Sequence, residues 1–162
     1  MKILQYREFI NTECTNTDNT ILNKKAIKID GVKSLKKYAC CTHLKSCDYL
    51  KYKKSKIILV EISDLKAQII NLKKSYDTKE ILQMIYRELK EKITQTLLFL
   101  EALSKKILFD TTKHKIFTIA ICTESKSDIL IFSKIVKDLK KHLQIFLYDV
   151  KLVPVVELKR ML

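Results

Sequence analysis

Ile57-Ile58-Leu59-Val60-Glu61-Ile62-Ser63-Asp64 is the most strand-like stretch of the chain. Its apolar residues run on without alternation, the pattern of a strand buried on both faces. A carboxylate inside such a run is costly to bury unless it is paired or binds a metal, so Glu61 is the first residue to explain. Upstream, the chain reads as extended from Cys40 to Tyr52, with Asp48 inside it, and ends in the charged turn Lys51-Tyr52-Lys53-Lys54-Ser55-Lys56. A short basic linker between two extended runs predicts an antiparallel hairpin. Residues two apart on a strand share a face, so Glu61 and Ser63 point one way and Val60 and Ile62 the other. Asp48, at the end of the paired strand, comes within reach of Glu61.

Downstream, Leu65 to Lys74 has helical character, and Asp64 is equally an N-cap for it or a ligand. Asp77 or Thr78 caps the longest element, about 79–107, where Ile81, Leu82, Ile85, Leu89, Ile93, Leu97, Leu100, Leu103 and Ile107 keep three- and four-residue spacing. Lys115 to Thr123 reads as a second buried strand. Ser127 and Asp128 start a helix that carries Ile129, Phe132, Ile135, Val136, Leu139 and Leu143 on one face. Gln144 to Val150 and Leu152 to Val156 read as strands, with Pro154 marking an edge or a bend, and Glu157 to Leu162 as a tail.

Upstream of the hairpin, Asp30-Gly31 is a turn after the run around Ala26 to Ile29, residues 32–39 are weakly helical or extended, and Ile3 to Ile10 is a short helix or strand before the polar stretch Asn11 to Thr20. Helices between strands predict an α/β fold, a mixed central sheet flanked by helices with its first hairpin antiparallel. The 162 residues fit one domain, with a core at about 38–156 and an N-terminal extension at 1–37.

A hydrophobic content of 47% with 31% charged residues excludes a disordered chain. No apolar run is long enough to cross a bilayer, which argues against a membrane partner. The start, Met1 to Glu8, lacks the pattern of a signal peptide, so a cytoplasmic location is expected. A net charge of +14 favours polyanions such as DNA or RNA, with Lys53, Lys54 and Lys56 of the turn as candidate contacts. Against this, only Arg7, Arg87 and Arg160 among 32 basic residues are arginine, the better fork for phosphates. Lysine, isoleucine and asparagine in such excess also follow from an AT-rich genome.

Five cysteines without secretory context predict reduced thiols. Cys40-Cys41-Thr42-His43-Leu44-Lys45-Ser46-Cys47 has the wrong spacing for a zinc knuckle, so structural cysteines are expected there. His43, His114 and His142 form no triad spacing, and a single glycine excludes a phosphate loop of the usual kind.

Cys47-Asp48-Tyr49-Leu50, a basic turn, and Ile58-Leu59-Val60-Glu61-Ile62-Ser63 together resemble the PD-(D/E)xK nuclease superfamily, with its restriction-endonuclease-like fold. In that family one strand carries Asp, the next carries Glu-x-Lys, and a helix, a strand and a further helix follow. The element order is similar from about residue 38 to 150. The resemblance implies Asp48 and Glu61 as catalytic metal ligands for Mg²⁺, with the Ile62 carbonyl a third. It implies Glu8 or Glu13 as the acid some members carry on an N-terminal helix. It also makes Gln95 a nucleic-acid contact, from the Gln-x-x-x-Tyr motif of some members, although Phe99 replaces the tyrosine. The main departure is Ser63 in place of the lysine, which removes a positive charge from the transition state. Lys66, at the start of the next helix, is the candidate to reach back; equally, it is one of many solvated lysines.

Three functions compete. A non-catalytic or weakly active nucleic-acid-binding subunit of a larger complex accounts for Ser63, Phe99 and the charge. An Mg²⁺-dependent nuclease accounts for Asp48 and Glu61. A protein-interaction module would use the apolar stripe of the long helix to dimerise.

Overall fold

The run that opened the sequence reading folds as the fourth of six strands. A computed structural model describes residues 2–12, 14, 21–31, 34–123 and 125–162. After a 3₁₀ turn at Lys2–Tyr6 come β1 (Arg7–Asn11), β2 (Ile21–Lys28), α1 (Leu35–Tyr38), β3 (Tyr49–Tyr52), β4 (Lys56–Ser63), α2 (Leu65–Leu72), α3 (Thr78–Ser104), β5 (His114–Ile121), α4 (Lys126–Leu143), β6 (Asp149–Pro154) and α5 (Val155–Met161). The strands lie side by side in sequence order. The first four are antiparallel to their neighbours, and β4, β5 and β6 are parallel. This is an α/β protein with a mixed open sheet.

β4 lies inside the sheet and pairs along its whole length with β5, from Lys56 opposite His114 to Ser63 opposite Ile121. Its apolar run is unbroken because both faces are covered. Ile57 and Leu59 join the larger core cluster with Phe117, Ile119 and the buried stripes of α3 and α4. Ile58 and Val60 join a smaller one with Tyr49, Ala120 and, from α5, Val155 and Leu158.

α3 shows what holds its kind of element. Asp77 accepts from the Glu80 backbone N–H at 2.8 Å, and Glu80 accepts from the Asp77 N–H at 3.0 Å, a reciprocal cap. Such a cap contributes about 1 kcal/mol. Ile81, Ile85, Leu89, Ile93, Phe99, Leu100 and Leu103 are buried, and each contributes roughly 2 kcal/mol. Packing therefore outweighs capping. The stripe read as a dimerising surface is spent on the chain's own core.

The structure departs from the sequence reading in three places. Gln144–Tyr148 is a turn closing α4, not a strand, and Ile145 and Phe146 are exposed. Val155–Met161 is a helix, not a strand end and tail: Pro154 ends β6 as the helix N-cap, and Val155 and Leu158 pack into the smaller core cluster. Cys40 to Ser46 is loop and turn, leaving only four residues of strand in β3. Where Ile3 to Ile10 reads as helix or strand, the chain uses both, and β1 and β2 extend the sheet beyond the hairpin. Gly31 takes φ +112°, as its turn requires. No helix among the described residues is long and apolar enough to cross a membrane.

Candidate functional site

The predicted hairpin forms, with Tyr49 opposite Val60 and Leu50 opposite Leu59. Asp48 sits just before β3; its backbone N–H donates to the Val60 carbonyl at 3.0 Å, and its Oδ2 accepts from the Ile62 N–H at 2.8 Å. The aspartate thus finishes the ladder where the strand ends. Half-buried, it lines a polar hollow of about 200 Å³ with Asn11, Thr12, Lys28, Ile62 and Asp64.

Glu61 goes elsewhere. Its carboxylate runs beneath α3, where Oε1 meets Lys92 Nζ at 2.5 Å. Oε2 is buried without a hydrogen-bond partner among the described residues. Glu61 is 2% exposed. Burial, then the charge of Asp48, pushes its pKa up to about 8 against the pull of Lys92. Burial works against the Lys92 ammonium as well, but the Glu61 carboxylate more than offsets it and raises its pKa. Thr96, one turn beyond Lys92, accepts from the Cys47 N–H at 2.9 Å, which pins α3 to the strand carrying Asp48. Lys92 and Thr96 are the residues that the sequence reading missed; one lysine among so many carries no signal of which faces a buried acid.

The two acids are near enough for one charge to bear on the other, yet Glu61 does not line the hollow of Asp48. A hard cation needs several oxygens. The unpartnered Oε2 suits that role, but the ammonium at Oε1 holds the place where a shared cation would draw on this carboxylate. The donor set as arranged does not fit a cation held jointly by Asp48 and Glu61. Among the described residues, no group of three or more His, Cys, Asp or Glu side chains is placed to hold a metal ion.

The remaining predicted residues fall in different places. Lys66 does not reach Glu61; it lies 3.8 Å from Asp128 at the start of α4. Asp64 caps α2, accepting from the Ala67 N–H at 3.0 Å. Lys53, Lys54 and Lys56 lie at the far end of the hairpin from Asp48, roughly 15 Å along the strand. There Lys53 donates to the Met161 carbonyl at 3.2 Å. Gln95 is bound to the Lys45 N–H at 2.6 Å and to Glu91 at 3.0 Å, and Phe99 is core. Glu8 is on a strand, paired with Lys28 at 3.1 Å, and Glu13 lies outside the described residues.

The cysteines bring a correction. Cys14 and Cys122 are joined in a disulfide, against the expectation of reduced thiols. It ties the segment after β1 to the end of β5, with Cys122 on the wall of the hollow. Cys41 and Cys47 are buried free thiols whose Sγ atoms approach the Ala39 and Tyr49 carbonyls, as expected of structural cysteines.

Compared with protein-family models, curated proteins and solved structures, the chain matches none.

Proposed function

We propose that this chain is a restriction-endonuclease-like protein that binds nucleic acid as a non-catalytic or weakly active subunit of a larger complex. The single observation that carries the reading is the fate of Glu61, shut beneath α3 against Lys92 instead of open to the hollow that Asp48 lines. The hairpin with Asp48 at the start of one strand and Glu61 on the next, followed by helix, strand and helix, supports the fold assignment. The net charge of +14 supports a polyanionic partner.

A test sets the purified chain with plasmid, single-stranded DNA and RNA under Mg²⁺ or Mn²⁺, and measures oligonucleotide binding alongside. The expected outcome is binding without appreciable cleavage. Cleavage abolished by Glu61→Ala would overturn the silent site, and no binding at low salt would overturn the nucleic-acid role.

One observation favours the second reading, an Mg²⁺-dependent nuclease using Asp48 and Glu61. Lys92 brings to Glu61 the positive charge that Ser63 lacks. On that reading Lys92→Ala abolishes cleavage and Lys66→Ala leaves it unchanged.

A further inference from the structure

The outer two strands carry a feature that the acids do not explain. Phe9 on β1 is directly opposite Lys25 on β2, and the Lys25 ammonium sits 4.7 Å from the centre of the Phe9 ring. Phe9 is 47% exposed, an aromatic ring presented to solvent on a sheet surface. Arg7, two residues along the same strand and on the same face, is exposed too.

Next to this ledge β2 and β3 pair only at Ile27–Leu50 and Lys28–Tyr49, and beyond that the Lys51 ammonium donates to the Lys25 carbonyl at 2.8 Å. Burial, then the charges of Arg7, Lys53 and Lys24, holds the Lys51 pKa below its ordinary value. Among the described residues, none of Arg7, Lys24, Lys25, Lys51 and Lys53 forms an ion pair. On the face of Phe9, Arg7 and Lys25 stand uncompensated beside the exposed ring, while Lys24, Lys51 and Lys53 alternate to the opposite face of the sheet.

We propose that the β1–β2 ledge, with Phe9 as its stacking platform and Arg7 and Lys25 as its phosphate contacts, binds single-stranded nucleic acid. The partner follows from the chemistry. Uncompensated positive charge selects a polyanion and releases its counterions. An exposed ring selects bases with a free face, which a strand offers and a duplex hides. A flexible strand also follows a flat ledge without being read by sequence. This inference deepens the nucleic-acid reading and rests on it, but it locates the contact at Arg7, Phe9 and Lys25, none of which lines the Asp48 hollow.

Fluorescence anisotropy with a labelled oligothymidylate, the matching oligouridylate and a duplex of equal length tests it across a salt series. The expected result is binding of both single strands in clear preference to the duplex, weakening steeply with salt. Phe9→Ala should weaken single-strand binding about tenfold with little change in salt slope. Phe9→Tyr should restore it. Arg7→Ala with Lys25→Ala should flatten the slope by about two. All these side chains are exposed, and circular dichroism confirms that the variants fold. If the wild type binds but these variants bind as it does, the ledge is overturned while the nucleic-acid reading stands. If the wild type binds neither strand nor duplex, both fall. Preference for the duplex overturns the ledge alone.

Discussion

Glu61 and Lys92 behave as one buried unit, and their response to mutation should show it. Taking both charges from water costs several kcal/mol per ion, recovered only while each faces the other. Lys92→Met leaves Glu61 without its counterion. The unfolded carboxyl has a pKa near 4.5, and the folded one is already raised to about 8. A raised carboxyl binds more protons folded than unfolded, so stability falls as pH rises through that window. Removing Lys92 raises the folded pKa further and deepens the fall. Urea unfolding should find Lys92→Met close to wild type at pH 5 and destabilised by roughly 3 kcal/mol at pH 9. Glu61→Gln with Lys92→Met should be nearly neutral at both, since it replaces the pair with groups that need no ionisation. An equal loss for Lys92→Met at both values would show that the pair is not what burial and proximity make of it. The sequence marked Glu61 because an acid inside an apolar run stands out. It could not mark Lys92, which depends on how α3 crosses β4.

Among the elements, legibility followed the strength of the local pattern. α3 and α4 were readable because their apolar residues repeat at helical spacing, and β4 and β5 because they are buried on both faces. Gln144–Tyr148 misled because Ile145, Phe146 and Leu147 are strand-like in composition, yet only Leu147 is buried. Val155–Met161 misled because two valines after a proline resemble an edge strand, while the strand in fact ends at the proline and a helix follows. Neither fault lies in propensity; each was settled by what the segment packs against. Capping offers a controlled comparison between the two long helices. α3 has a reciprocal cap, whereas Ser125 at the start of α4 makes no side-chain cap bond. Asp77→Ala should therefore cost about 1 kcal/mol in chemical denaturation. Ser125→Ala should stay within about 0.5 kcal/mol of wild type, as surface changes away from such features do. Equal losses would mean that the two helix starts are held alike.

On the scale of the whole molecule, the sheet grows in chain order, so each strand is positioned by the one before it. The antiparallel half, β1 to β4, carries Asp48 and the basic ledge. The parallel half, β4 to β6, supplies the helices that bury Glu61. The Cys14–Cys122 disulfide cross-links these halves, across a separation of 108 residues. Cross-linking so long a loop removes much of the unfolded chain's freedom and stabilises by about 2–4 kcal/mol. Reducing the protein, or changing Cys14→Ser with Cys122→Ser, should lower the melting temperature accordingly. Thiol titration reports on the same bond. Native protein should show one reactive thiol, Cys40, because Cys41 and Cys47 are buried. Unfolding without reductant should expose three in all, and reduction should bring the count to five. Five thiols in the unreduced unfolded chain would mean that these halves are held by packing alone.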